Sequence, residues 1–479
     1  MSRAWIAVVT AITLGFSANL AVASDVKSFD PKIWLEDLAQ MRQAFSAKYV
    51  NFEWAVFDRQ ADLAALFADA QKRVQDSDND ADARAAFDRL VRQIGDGHVQ
   101  LQWPKSRATK QHAATPDPCA AYDPANGGAP VAALAQGYEE LKTPQSSTFP
   151  AGVITLGQRR LGVVKIPSFD PSAAPALCKE ALVALSIPAD MPCDDDCAAR
   201  IDAWAQARMN EEFIGQIEAL KSVRIDALLV DIAANGGGTE WAAAGARMLT
   251  PVRLKSGGYR FMRGPHWAKK LGDLENNLRK AATVAVPEDR ALLVKFANQA
   301  AQGKLEATKL CDAAPFWKGQ RPTCSFLGEG PVFMTAADPA TLRGKAWAPL
   351  VFSPMEYPYS EGIWSGPLMV LVDSGTASAS EGFAAELQDN HAALIIGEHT
   401  YGAGCGYTDG GAPTTLKNTG AVLMLPDCVG LRADGSNMIR GVVPDVLVGF
   451  HRMDGPRLKA VALLPKLPEA LDRLGVRAK

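Results

Sequence analysis

Along the first hundred positions apolar residues recur at helical spacing. Asp30 is suited to an N-cap and Pro31 to the first helical position, and Trp34, Leu38, Met41, Phe45 and Tyr49 then share one face. A second run carries Leu63, Leu66, Phe67, Ala70 and Val74, and a third carries Phe87, Leu90, Val91 and Ile94. This pattern predicts an N-terminal helical domain over residues 24–103, closing at the turn Gly95-Asp96-Gly97-His98. Residues 104–150 are rich in Pro, Ala, Gly, Ser and Thr with weak periodicity and read as a linker. Beyond them the period changes. Short apolar runs at 161–166, 227–232, 368–372 and 393–396 alternate with helical patterns, as strands buried on both faces do. The predicted class for 151–479 is therefore α/β. Segment 252–330 interrupts it with a helical stretch at 288–301 and a loop between Cys311 and Cys324, and reads as an insertion with its own local fold.

The start of the chain has a different character. Arg3 precedes an apolar stretch over 4–16 and the small triplet Ala21-Val22-Ala23, the layout of a signal peptide over residues 1–23. The alternative is a membrane anchor, but the run is shorter than the roughly 20 residues a spanning helix needs. The mature chain is thus expected to be periplasmic or secreted, with no membrane span. Fifty Lys and Arg stand against 53 Asp and Glu, and no basic stripe interleaves with aromatics, so nucleic acid is not an expected partner. Eight cysteines in an exported chain favour disulfides. Local pairs would be Cys193 with Cys197, Cys311 with Cys324 and Cys405 with Cys428, leaving Cys119 with Cys178. A metal site is the competing use of Cys193 and Cys197, without a second cysteine pair or a nearby histidine to support it.

Two strand ends carry chemistry. The run 228–232 leads into Asn235-Gly236-Gly237-Gly238 and then a helical stretch. Such glycines serve a phosphate-binding turn, an oxyanion hole or simply a tight strand-to-helix turn. The run 368–372 leads into Asp373-Ser374-Gly375-Thr376-Ala377-Ser378-Ala379-Ser380-Glu381 and a second helical stretch. A serine at such a turn exposes its hydroxyl beside the next backbone N–H, which suits acyl transfer; a serine-rich N-cap would look the same.

Taken with Leu387-Gln388-Asp389, Gly397-Glu398, Tyr401-Gly402 and Gly441-Val442-Val443-Pro444-Asp445, this second constellation resembles the signature of the C-terminal processing (tail-specific) serine peptidases, over roughly residues 155–450 without the insertion. The resemblance implies a crotonase-like (ββα) core and needs no cofactor. It also implies Ser378 as nucleophile, with the N–H groups of Ala379 and of Gly236 or Gly237 as the oxyanion hole. Where relatives with a Ser-Lys dyad carry the lysine, this chain has Ala403. The base is then sought among histidines. Ile94-Gly95-Asp96-Gly97-His98 is similar to the turn of the Ser-His branch that includes the tricorn core peptidase, which makes His98 the base and His391 and His399 its rivals. A lone loop histidine satisfied by its neighbours is the alternative. Relatives carry an orienting glutamate shortly before the closing motif; here Asn437, or else Asp434, would take that role. Asp389 is read as structural. The implied substrates are peptides or unfolded polypeptide segments, and no PDZ module is recognisable. Two rivals stand beside a peptidase: a catalytically silent peptide-binding protein of the same fold, and an esterase using Ser378.

Overall fold

Leu228 and Val230 face one apolar cluster and Ala227 and Leu229 the other, and all four are fully buried. A strand covered on both sides has no polar face to show water, which is why its sequence reads as a continuous apolar run. The computed structural model describes residues 29–104, 117–124, 128–331, 339–407, 413–451 and 453–477. The expected signal peptide lies outside the described residues.

The helices that matter here are α1 (Pro31–Lys48), α2 (Leu63–Gln75), α3 (Asp80–Ile94), α4 (Pro175–Ala184), α5 (Asp195–Ser222), α6 (Trp241–Met248), α7 (Pro265–Val284) and α8 (Pro287–Ala307). The strands are β1 (Gln100–Gln102), β2 (Tyr138–Glu140), β3 (Ala151–Leu156), β4 (Arg159–Lys165), β5 (Ala227–Asp231), β6 (Tyr259–Met262), β7 (Leu327–Glu329), β8 (Leu368–Val372), β9 (Leu394–Gly397), β10 (Thr414–Thr415), β11 (Val422–Met424), β12 (Cys428–Gly430) and β13 (Val446–Leu447). Seven strands form the central sheet in the order β13-β9-β8-β5-β4-β3-β2. The five from β4 to β13 run parallel, and β3 and β2 close one edge antiparallel. Trp241, Phe213, Phe169 and Phe383 pack on one face; Leu463, Leu467 and Leu471 pack on the other. The structure is thus α/β with a mixed sheet.

The N-terminal helices begin and end where their caps dictate. Asp30, Asp62 and Asn79 accept from the N–H groups of Lys32, Ala65 and Asp82, and α3 stops at Gly95, whose φ of 71° turns the chain toward His98. Directly after His98, β1 pairs antiparallel with β11.

One expectation about organisation needs correction. The linker expected over 104–150 is partly built into the core: Val131, Ala132 and Ala135 are buried against the sheet, β2 pairs with β3, and Val131 N–H donates to the buried Asp231 carboxylate at 2.6 Å. The segment at 252–330 contains the α7–α8 hairpin, which closes on an apolar cluster of its own with Leu278, Leu293, Phe296 and Ala300, but its ends are joined to the rest of the chain. Its strand β6 lies between β7 and β12, and its Phe316 stacks on Phe52 of the N-terminal helices at 5.0 Å. All four expected cysteine pairs are bonded: Cys119–Cys178, Cys193–Cys197, Cys311–Cys324 and Cys405–Cys428. Among the described residues no helix is long and apolar enough to cross a membrane.

His266, at the start of α7, carries a pH prediction. Its side chain is 8% exposed, and burial together with the Lys48 ammonium lowers its pKa to about 4, although Asp427 lies 3.8 Å from Nε2. The unfolded chain therefore binds the proton first, near pH 6.5, so stability should fall as pH drops from 6.5 toward 4, by at most about 3 kcal/mol. Thermal unfolding measured across this range should show the decline, and His266→Gln should flatten it between pH 6.5 and 5. An unchanged slope in that variant would remove His266 as its origin.

Candidate active site

The site sits at the carboxyl ends of β4, β5 and β8, where the turns leaving β5 and β8 are tied together. Asp373 accepts from the N–H groups of Ala234 at 2.7 Å and Gly375 at 2.9 Å. Thr376 Oγ1 donates to Ile232 O at 3.0 Å, and Ala377 N–H donates to Asn235 O at 3.1 Å. Asn235, fully buried, donates in turn to Ile166 O at 2.9 Å. Burial pushes the Asp373 carboxyl upward, but the Lys459 ammonium and the two N–H groups more than reverse this and hold it below the ordinary value. The fixed turn delivers Ser378 at φ 55°, ψ −123°, a conformation a non-glycine residue adopts only when its surroundings impose it. Ser378 immediately precedes the Ala379–Asp389 helix and lines an open cavity of about 510 Å³ with His98, Gly236, Tyr401, Ala403 and Lys459.

His98 comes from a point 280 residues earlier and meets this serine: Nε2 lies 3.2 Å from Ser378 Oγ. Its other nitrogen, Nδ1, is 2.8 Å from Ala403 O. A carbonyl can only accept, so Nδ1 carries the hydrogen, and in the neutral ring the lone pair of Nε2 faces the serine hydroxyl. That is the tautomer a general base requires. The main chain of His98 is also held, because its N–H donates to Asp96 Oδ1 at 3.0 Å. Asp96 accepts from Asn51 at 2.9 Å and Tyr49 at 3.1 Å on its other oxygen; burial raises its pKa against these donors.

The remaining expected residues fall as follows. Asn437 does not orient His98: its Oδ1 accepts from Ile439 N–H and its Nδ2 donates to Asn51 at 3.2 Å, so it touches the histidine only through Asn51 and Asp96. Asp434 accepts from Ser436 N–H in an exposed turn. Neither side chain reaches the imidazole, and the group bonded to Nδ1 is the Ala403 carbonyl. His399 bonds Thr400 O, and His391 lines a separate cavity beside Asp389 and Arg432. Asp389 pairs with Arg432 through both carboxylate oxygens, a structural tie. Of the two oxyanion glycines, Gly237 is corrected as well. Its N–H donates to Asn235 Oδ1 at 2.9 Å, whereas Gly236 lines the cavity with Ser378, the residue before Ala379.

Gly237 instead serves by lacking a side chain. A Cβ there would lie 2.9 Å from Ser378 Cβ and 3.0 Å from Ala379 N, at a φ of +111°. Gly237→Ala should therefore push the serine turn and lower kcat by about tenfold or more while leaving the far α7–α8 hairpin intact. Steady-state kinetics beside circular dichroism checks this, and unchanged kcat would sink it.

The sequence reading did not assign Glu381, which is fully buried three residues after Ser378. Its Oε1 accepts from Thr400 Oγ1 at 2.5 Å and Gly402 N–H at 2.7 Å; its Oε2 accepts from Ala403 N–H at 2.8 Å and Ser378 N–H at 3.1 Å. One carboxylate thus sets the spacing between the serine and the carbonyl that orients its histidine. The signal was present as a serine followed three positions later by glutamate at a helix start, the spacing of reciprocal capping.

Residues 160–448, more than half of the chain, match the family described as Peptidase family S41. Short stretches match curated relatives: 38 residues are 60% identical to "Carboxyl-terminal-processing protease" of Synechocystis sp., covering 8% of this chain and 9% of that protein. Another 40 are 62% identical to "Carboxyl-terminal-processing peptidase 2, chloroplastic" of Arabidopsis thaliana, 8% of each. The matches thus span under a tenth of the length of these relatives. The structure of mature CPAF complexed with lactacystin is similar over 93% of this chain and 99% of that one, with a TM-score of 0.59 and 15% identity, a likeness of fold.

Proposed function

The chain belongs to peptidase family S41, and from that premise we propose that it is an exported serine peptidase working through a Ser378 acyl-enzyme with His98 as general base. The observation that carries this reading is the 3.2 Å contact between His98 Nε2 and Ser378 Oγ in the base-competent tautomer. In the first step Oγ attacks the peptide carbonyl while Nε2 takes its proton. The oxyanion is held by the N–H groups of Ala379 and Gly236. His98 then returns the proton to the leaving amine, and water, activated by the same nitrogen, hydrolyses the ester. The Ala403 carbonyl stabilises the imidazolium through a dipole rather than a full charge, which makes it a weaker partner than a carboxylate. No cofactor takes part in these steps.

The core is of crotonase-like ββα type, with residues 24–103 as the helical domain that supplies the base. Peptides or unfolded segments are the substrates, as an open cleft at the sheet's carboxyl edge suits them. Export is supported by the cationic and apolar start of the chain and by four disulfides, which persist in oxidising compartments. A silent binding protein would need no histidine held on the serine, so the His98 contact weighs against it. A fluorophosphonate probe tests the reading: purified protein should gain one adduct, located on the Ser378 peptide by mass spectrometry. Correctly folded protein that takes no adduct would overturn the activity and leave the silent reading.

A further inference from the structure

Residues 401–407 form the wall behind His98, yet they belong to no helix or strand. Ala403 presents the carbonyl that accepts from Nδ1. The backbone of Gly406 lies against the imidazole so closely that a Cβ would stand 2.9 Å from Nε2. The Tyr407 ring meets the imidazole edge-on at 5.6 Å. This short loop therefore bonds one ring nitrogen, leaves no room for a side chain beside the other and sets an aromatic ring against the imidazole. Its first half is anchored by Glu381 through the Gly402 and Ala403 N–H groups. Within its second half, Cys405 is bonded to Cys428. Cys428 is buried in β12, which pairs with β6, and its neighbours there include Phe261 and Trp267. The disulfide thus ties an irregular catalytic loop to a strand in a packed layer.

We propose that Cys405–Cys428 is a positioning element for His98 and makes turnover depend on its oxidation state. This rests on the reading of Ser378 and His98 as nucleophile and base. A loop without ladder hydrogen bonds has a low cost of local opening, and a covalent tie to a buried strand removes that freedom. Reduction would restore it. Cys405 is the more accessible residue of the pair, being part-exposed where Cys428 is buried. A dithiol reductant attacks Cys405 through one thiolate and expels the Cys428 thiolate; its second thiol then displaces the Cys405 sulfur and closes to a cyclic disulfide. Two electrons and two protons pass to the protein, leaving two thiols. The Ala403 carbonyl then wanders from Nδ1, and the fraction of rings in the base-competent tautomer and position falls.

The test compares the Cys405→Ser/Cys428→Ser double variant with Cys193→Ser/Cys197→Ser, which removes a disulfide on the far α4–α5 side. The expected result is a fall of at least tenfold in kcat and in fluorophosphonate labelling rate for the first variant, with KM within about twofold, and near wild-type values for the second. A purely structural tie would move thermal stability without this split between kcat and KM. Should the first variant fail to fold, wild-type protein is titrated with dithiothreitol and the state of each cysteine pair is read by differential alkylation and mass spectrometry. Activity should then fall in step with Cys405–Cys428 and return on reoxidation. Full activity with that pair open, or loss that follows another pair, overturns the proposal. Oxidised wild-type protein that takes no probe would instead fail the underlying peptidase reading.

Discussion

Ser378→Ala and His98→Ala are each expected to lower kcat by about 10³- to 10⁶-fold, and the double variant should be no slower than the worse single one. The reason is that the two side chains act as one unit. Without Oγ the imidazole has no hydroxyl to activate, and without the ring the hydroxyl, 3.2 Å from an empty place, keeps its proton at neutral pH. The rate that remains would come from binding and from the Ala379 and Gly236 N–H groups. Peptide hydrolysis by the three variants, alongside adduct formation, measures this. Additive losses, or a His98→Ala enzyme within tenfold of wild type, would mean that the base lies elsewhere. His391 and His399 would then need a route to the site that the folded chain does not provide.

The second large effect is expected at Glu381→Gln, although this residue meets no substrate. The carboxylate accepts four hydrogen bonds, two at each oxygen. An amide must put its NH2 group on one side. Toward Ser378 and Ala403 it would oppose two backbone N–H donors; toward Thr400 and Gly402 the hydroxyl can turn to accept, but the Gly402 N–H is left without a partner. Each orphaned buried donor costs about 1–3 kcal/mol, so with one or two orphaned stability should drop by roughly 1–6 kcal/mol. The catalytic consequence follows from geometry. In the proposed mechanism Ala403 orients His98 and Ser378 is the nucleophile, so loosening their shared anchor misaligns both, and kcat should fall about 10²-fold. Urea unfolding and steady-state kinetics on the same preparation separate the two effects. Wild-type kcat in a folded Glu381→Gln enzyme would show that the turn holds its shape without the carboxylate.

Much of the candidate site is legible in the residue order because its parts are local. The runs at 227–230 and 368–372 are apolar throughout, so they read as strands buried on both faces. The glycines after one and the serine after the other mark strand-to-helix turns. Cysteine pairs four to 23 residues apart could be guessed from proximity along the chain, and the fourth pair followed by subtraction. The orienting group was not legible, for a physical reason. Sequence comparison asks which side chain replaces a missing glutamate, whereas the folded chain uses a main-chain carbonyl, which every residue carries and no residue type announces. The same holds for residues 131–140, whose small side chains look like a linker until the sheet edge that they cover is present. Local pattern therefore determined the strands and the turns, and the family resemblance singled out Ser378 within one of them. The pairing of β1 with β11 and the docking of residues 403–407 decided that His98 meets Ser378 in the right tautomer, because such contacts join distant segments whose packing no local pattern encodes.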